Sequence, residues 1–176
     1  MHIFEDEWHY NTKLCKSKLK KLICPSSMMH IDGCKCEVMH NIDSIIKHKM
    51  LSKYAFFEND GSSIAYGLVH NNHLVAMLTL SKTRNNKQYE WQILNYVEVN
   101  SFIVDNGLKV LVDEFCKDYS PHSICMYASF DWATKDTYAE ALDFKELLKP
   151  RLFWTTSDQR RIHGTSITKA NVRDTL

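Results

Sequence analysis

The sequence predicts a mixed α/β fold, because strand-like and helix-like apolar periodicities alternate along its second half. The two main observations are a β-hairpin around Asn71-Asn72 and a strand-helix-strand succession between 88 and 128. A chain of 176 residues has the size of one domain. We therefore predict that residues 1–176 form one domain, with a helical N-terminal part (1–52), a core of sheet and helices (63–157) and a polar, basic tail (158–176).

The N-terminal part is predicted to contain two helices. From Glu5 to about Ile23 apolar residues recur at helical spacing among many lysines, and Pro25 stops the helix. Such a lysine-rich face is usually only solvated, although it can contact phosphates. Gly33–Val38 is predicted as a short strand, and Asn41 or Asp43 caps the second helix.

The core begins with three antiparallel strands. Ile64–Val69 and His73–Leu80 form a hairpin whose tight turn contains Asn71 and Asn72, since asparagine tolerates positive φ. Gln88–Val97 is predicted as the third strand.

A crossover completes the predicted core. A helix begins at Asp105 or Asn106 and leads to a buried strand at His122–Ala128, so that strand, helix and strand form a crossover unit. A further helix from about Ala133 to Leu142 and a strand around Leu152–Thr155 follow.

Composition excludes several classes of protein. The formal charge of +1 provides no overall field that attracts nucleic acid, so any such contact depends on local basic clusters. No apolar run approaches the roughly 20 residues that cross a bilayer, and the acidic start differs from a secretory signal. We therefore expect a cytoplasmic protein with no membrane partner. Its six dispersed cysteines are predicted to be free thiols.

A zinc site is considered for the early cysteines and histidines, namely Cys24, His30, Cys34, Cys36 and His40. Paired Cys-x-x-Cys spacing is missing. No metal is therefore expected. Cys116 and Cys125 lie in apolar runs and are predicted as core residues.

The order of meander, crossover helix, strand, helix and final strand resembles the GNAT acyltransferase superfamily. In that fold the crossover helix directs its N-terminus at the pyrophosphate of an acyl-CoA. The resemblance implies that acetyl-CoA or another acyl-CoA contacts Val104, Asn106, Gly107 and Leu108, in a cleft beside the middle strand. The segment has one glycine where the superfamily has two, and Asp105 adds a negative charge.

A closer resemblance covers nearly the whole chain. It is to the C-terminal module of bacteriophage homing endonucleases of the very-short-patch-repair-like type. The matching segments are Ile3–Trp8, Gly67–Val69, Leu74–Thr79, Tyr89-Glu90, Tyr127-Ala128, Pro150–Trp154 and Arg160-Arg161. The nuclease core would precede this module, so the resemblance implies a phage protein in the host cytoplasm that does not cut DNA alone.

A shorter resemblance is to the Mom family of phage DNA-modification proteins, which have a GNAT-like fold and act on adenine. It rests on Tyr127-Ala128, Asp131, Tyr138 and Phe144.

Three residues are candidates for acyl-transfer chemistry. Glu90 could be the base and Tyr138 the donor to the leaving thiolate, while Asp131 could orient a substrate amine. The structural alternatives are that Glu90 faces solvent, Tyr138 packs at the edge of the core and Asp131 caps a helix.

Basic and aromatic residues are interleaved near the end of the sequence. Arg151, Arg160 and Arg161, close to Phe153 and Trp154, suit phosphate contacts and base stacking on a nucleic acid. Because the two aromatic residues are adjacent on a predicted strand, one of them is expected in the core.

Two hypotheses of function follow. The leading one is an acyltransferase-type modifier in nucleic-acid metabolism, with Glu90, Asp131 and Tyr138 near the reaction centre. The alternative is a noncatalytic module that binds DNA, RNA or a host protein, including a counter-defence role, on a GNAT scaffold that has lost its cofactor site.

Overall fold

We describe a computed structural model of the chain, covering residues 3–56, 61–83, 88–126, 142, 153–155 and 161–163. The described helices are α1 (Glu5–Ile23), α2 (Ser44–Tyr54) and α3 (Gly107–Tyr119). The described strands are β1 (Met29–Asp32), β2 (Glu37–Met39), β3 (Ile64–His70), β4 (His73–Lys82), β5 (Trp91–Glu98), β6 (Phe102–Asp105), β7 (Ile124–Met126), β8 (Phe153–Thr155) and β9 (Arg161–His163).

A five-stranded mixed sheet organises the fold, in the order β2-β3-β4-β5-β7. The first four of these strands pair antiparallel, whereas β5 and β7 run parallel and α3 connects them. The predicted α/β class is therefore confirmed, and so are the antiparallel meander and the strand-helix-strand crossover.

The hairpin turn forms for the predicted reason. Asn71 and Asn72 have φ angles of 49° and 61°, and two successive positive φ values are what a two-residue hairpin loop needs. The third strand begins at Trp91, a few residues later than predicted.

Both N-terminal helices are present as predicted. The Asp43 side chain accepts a hydrogen bond of 2.7 Å from the Ile45 amide, which identifies Asp43 as the N-cap of α2. The first helix contains a kink that the periodicity did not reveal, since Asn11 has φ −129° and ψ 37°.

The predicted strand Gly33–Val38 is wrong in its first half. Residues Gly33–Lys35 form a 3₁₀ turn, in which the Asp32 side chain accepts a hydrogen bond from the Cys34 amide at 3.1 Å. The preceding strand β1 was not predicted, nor was β6, with which it forms a separate parallel pair. In β1 only Ile31 is buried, so this strand has no alternating pattern to detect.

The C-terminal region is described only in part. Strand β8 lies where a strand was predicted, but it pairs with β9 in its own two-stranded sheet rather than completing the main sheet. Strand β9 falls within the predicted tail. The helix predicted from Ala133 lies outside the described residues, apart from Leu142, which packs against the main core.

The main sheet is buried on both faces. On one face α3 packs against Tyr66, Leu68 and Leu78, and on the other face α2 packs against Ala65, Met77 and Val97. Residues 75–80 of β4 are therefore all buried, a run expected for a central strand covered on both sides.

Two further sequence expectations concern cysteines and membranes. None of the six cysteines, all of which lie in the described part of the chain, forms a disulfide; Cys15 is buried, while Cys116 and Cys125 are half-buried. Burial raises the pKa of the Cys15 thiol. Within the described residues, none of the helices combines the length and the apolar character that a membrane span requires.

Phe115 is expected to be the most sensitive position of the core. Its ring is fully buried and contacts Trp91 at 5.1 Å between centroids. Phe115→Ala should lower the free energy of unfolding by about 3–5 kcal/mol, because it removes an aromatic ring and leaves a cavity. Urea denaturation measures the change. Tyr119→Ala, at a 43% exposed ring stacked on Phe115, is the control, and an equal loss in both variants would contradict the packing.

Candidate functional site

The predicted cofactor segment lies where β6 passes into α3. Asn106 has the left-handed conformation, with φ 58° and ψ 7°, and it precedes the first residue of the helix. Val104 and Leu108 are both buried and belong to the main core. Gly107 is buried too, rather than exposed to a cleft as expected, and only Asn106 among the four residues is exposed.

Close packing at Gly107 explains its burial. A Cβ placed on Gly107 would lie 2.5 Å from the Tyr96 hydroxyl oxygen and 2.8 Å from Val104 Cγ1. On another side Gly33 approaches so closely that its own Cβ would lie 3.0 Å from the Gly107 nitrogen. Backbone therefore packs against backbone at the start of α3, which narrows the access of a pyrophosphate to the first amides of the helix.

A hydrogen-bonded network surrounds the Glu98 carboxylate, beside the start of α3. Glu98 Oε1 accepts hydrogen bonds from the Tyr96 hydroxyl at 2.9 Å and from the Val104 amide at 3.4 Å. Glu98 Oε2 pairs with Lys21 Nζ at 2.9 Å. The network joins α1, β5 and β6. Burial, followed by the nearby charge of Lys21, lowers the pKa of Lys18.

Asp105 adds a negative charge beside Asn106, at the end of β6. Its carboxylate lies 3.0 Å from His30 Nδ1, and both side chains are about half exposed. A carboxylate at this place opposes the binding of another anion at the helix start.

Glu90, the predicted base, has a structural partner. Its Oε2 accepts a hydrogen bond from the His122 amide at 3.0 Å, and its own amide donates to Ser123 Oγ at 3.0 Å. These two bonds hold the segment before β7 against the start of β5. Glu90 is half-buried as a residue, and its carboxylate has a backbone partner.

Among the described residues, Glu90 and the predicted cofactor segment lie at opposite ends of β5. Glu90 precedes the first residue of β5, whereas Tyr96, six residues later, contacts the start of α3. Six residues of extended strand separate the two ends by about 20 Å. Asp131, Tyr138, Arg151 and Arg160 lie outside the described residues, and Arg161 is the first residue of β9.

A cluster that the sequence did not suggest lies on the far half of α3. His40, directly after β2, has its Nδ1 atom 3.1 Å from Asp118 Oδ2 and its Nε2 atom 3.6 Å from Glu114 Oε1. The buried Tyr66 donates a hydrogen bond of 2.6 Å to the same Asp118 oxygen. Glu114 and Asp118 are four residues apart, so both lie on one face of the helix. No sequence pattern connects them to His40, which lies more than 70 residues earlier.

The Tyr66–Asp118 hydrogen bond affects both titrating groups. Burial and then this bond raise the pKa of Tyr66, so the hydroxyl remains protonated and keeps donating. The bond from Tyr66 lowers the pKa of Asp118 against the opposing effect of desolvation, and the hydrogen bond and charge of His40 lower it further. Asp118 therefore remains an ionised acceptor.

Comparison with known proteins finds no protein family, curated protein or solved structure that matches this chain. Function has to be inferred from its own residues and their geometry.

Replacement of Gly107 tests the packing at the start of α3. Gly107→Ala should lower the free energy of unfolding by about 1–3 kcal/mol, because the new methyl group meets the Tyr96 hydroxyl and Val104. In a Tyr96→Phe background the loss should be smaller, since the nearest atom is gone. Urea denaturation of all four proteins gives the coupling between the two positions. Additive losses would mean that Tyr96 does not fill this space.

Proposed function

We propose that the chain is a noncatalytic nucleic-acid-binding module on a GNAT-like scaffold, in which the former cofactor segment has a packing role. The observation that carries the proposal is an exposed basic face on α1, formed by Lys13, Lys16 and Lys20 and called the lysine face below.

The lysine face gathers three positive charges on one side of α1. Its three members are separated by three and four residues, so they share one side of α1 after the kink at Asn11. Lys16 Nζ lies 5.9 Å from the centre of the Trp8 ring, which is 43% exposed. Lysines attract phosphates, and an exposed indole offers a surface on which a base can stack.

The geometry of the predicted enzyme site favours binding over catalysis. The start of α3 is packed by Gly33 and Tyr96 and flanked by the Asp105 carboxylate. Glu90 is bonded to the backbone at the opposite end of β5. Arg151, Arg160 and Arg161 are proposed as further phosphate contacts.

Neutralising the lysine face should weaken nucleic-acid binding. In the triple variant Lys13→Gln, Lys16→Gln, Lys20→Gln, the affinity for a labelled DNA duplex should fall, and the slope of log Kobs against log[salt] should become shallower by up to about 2.7, since each phosphate contact contributes about 0.9. Fluorescence anisotropy over a salt series measures both. Glutamine preserves helix propensity, so α1 should remain folded.

A charge-matched variant is the control. Lys35, Lys49 and Lys53 are exposed lysines outside α1, and their replacement by glutamine changes the net charge equally. If the lysine face binds DNA, the control variant should keep the wild-type slope of log Kobs against log[salt]. Equal losses in the two triple variants, or a wild-type affinity that does not respond to salt, would remove the proposal.

A second candidate function, binding of an acyl-CoA with acyl transfer, is favoured by one observation. Strands β5 and β7 are parallel and α3 connects them, with the start of α3 beside Tyr96 near the carboxyl end of β5. In open α/β sheets, ligands bind at the carboxyl ends of parallel strands. The exposed Asn106 is then the residue nearest to a bound pyrophosphate.

Calorimetry with acetyl-CoA separates the two candidates. The binding module should show no heat of binding at millimolar acetyl-CoA. If binding occurs at α3, Asn106→Asp should abolish it, because a carboxylate would face the pyrophosphate. Asn41→Asp is the matched control, as Asn41 is also exposed with a positive φ of 51°. Acetyl-CoA binding that only the first substitution removes would replace our proposal with the second candidate.

A further inference from the structure

The cluster of His40, Glu114 and Asp118 is the strongest group of potential metal ligands in the described part of the chain. One ligand atom from each residue lies within 4.8 Å of the other two. His40 Nδ1 lies 3.1 Å from Asp118 Oδ2, near the separation of about 3.4 Å between two ligands that bind one tetrahedral zinc ion at about 2.1 Å. His40 Nε2 lies 3.6 Å from Glu114 Oε1, and because one ion takes a single ring nitrogen, the side chains must rotate to bring all three ligands to one ion.

The position of the two carboxylates on α3 favours a cation independently of His40. Glu114 and Asp118 are like charges separated by four residues, an arrangement that destabilises an isolated helix. Both lie in the second half of α3, which ends at Tyr119, where the helix dipole favours positive charge. Lys117 compensates in part, through a bond of 2.7 Å to Glu114 Oε2. The other Glu114 oxygen is the one that faces His40.

Tyr66 donates a hydrogen bond to Asp118, and metal-binding carboxylates usually accept such a bond from a neighbouring residue. Its hydroxyl donates to Asp118 Oδ2, and its ring is 2% exposed and fixed against Phe115. The His40 ring also rests edge-on against Tyr66, with 5.2 Å between centroids. A hydrogen-bond donor held by the core thus orients the ligand carboxylate, as hydrogen-bonding partners do behind protein metal sites.

We infer that His40, Glu114 and Asp118 form a binding site for a divalent transition-metal ion, of which zinc is the best match to one imidazole and two carboxylates. The ligand side chains are 41%, 23% and 40% exposed, so an ion can enter from solvent. Three protein ligands leave one tetrahedral position for water or for a ligand oxygen.

The proposed site is separate from the start of α3. Glu114 follows Gly107 by seven residues, and a rise of 1.5 Å per residue places it about 10 Å farther along the helix axis. A bound ion would connect the end of β2 to α3 across the edge of the main sheet. The site involves neither the lysine face nor the acyl-CoA segment. The inference of metal binding can therefore be tested independently of both functions proposed above.

Cobalt titration tests the site directly. Untagged, chelator-treated protein is titrated with Co²⁺ alone, and visible d–d absorption bands report four-coordinate binding. Wild type should develop these bands without the near-ultraviolet charge-transfer band of a cobalt thiolate, because no cysteine belongs to the site. Zn²⁺ should then displace Co²⁺ and bleach the bands, as expected from the higher affinity of such sites for zinc.

Variants assign the binding to these residues. His40→Ala and, more conservatively, Asp118→Asn should each weaken Co²⁺ binding at least tenfold, and Tyr66→Phe should weaken it by about tenfold through the loss of support. His48→Ala and Asp113→Asn, at exposed positions outside the cluster, should bind as wild type does. Circular dichroism confirms that each variant is folded. Absent bands, bands with thiolate character, or bands that persist at wild-type affinity in both His40→Ala and Asp118→Asn would overturn the inference.

Discussion

Burial of one face of α3 against the main sheet determines the positions of two sites on this helix. They are the predicted cofactor segment at its start and the carboxylates that face His40 on its second half. Leu111 and Phe115 are fully buried on this face, and burial of each such side chain contributes about 1.5–3 kcal/mol. Phe115 also contacts Tyr66 and Trp91, which come from different strands. Because these contacts fix the rotation of the helix, Gly107 must lie against the sheet, and Glu114 and Asp118 must point toward its edge.

The packing of α3 against the sheet defines the scaffold but does not by itself define an activity. A parallel pair of strands connected by a helix serves many different functions, so function depends on the residues placed on such a frame. Here Tyr96 and Gly33 occupy the space around Gly107, and the Glu98 carboxylate joins three elements at that point. The carboxylates Glu114 and Asp118 lie instead on the far half of α3, next to His40 and not next to the predicted cofactor segment.

Structural features that depend on neighbouring residues could be predicted from the sequence, whereas contacts between distant segments could not. The hairpin at Asn71-Asn72 and the cap at Asp43 were predictable, because each depends on the conformational preference of one or two residues. The pair β1 and β6 was missed, since a four-residue strand with one buried residue has no periodicity, and its partner lies about 70 residues away. Glu90 was singled out as a base on the middle strand, but it lies just before β5, and its bond to the His122 amide could not be anticipated.

By itself the sequence determined the α/β class, the antiparallel meander, the helix after Asp105 and a lysine-rich face on α1. All four depend on patterns that repeat every two to four residues, and such patterns are complete within one segment. Only the tertiary structure decided that Gly107 is enclosed and that His40 meets Asp118, 78 positions away. The physical reason is that contacts of this kind depend on how elements pack, and packing is set by the burial of many apolar side chains together.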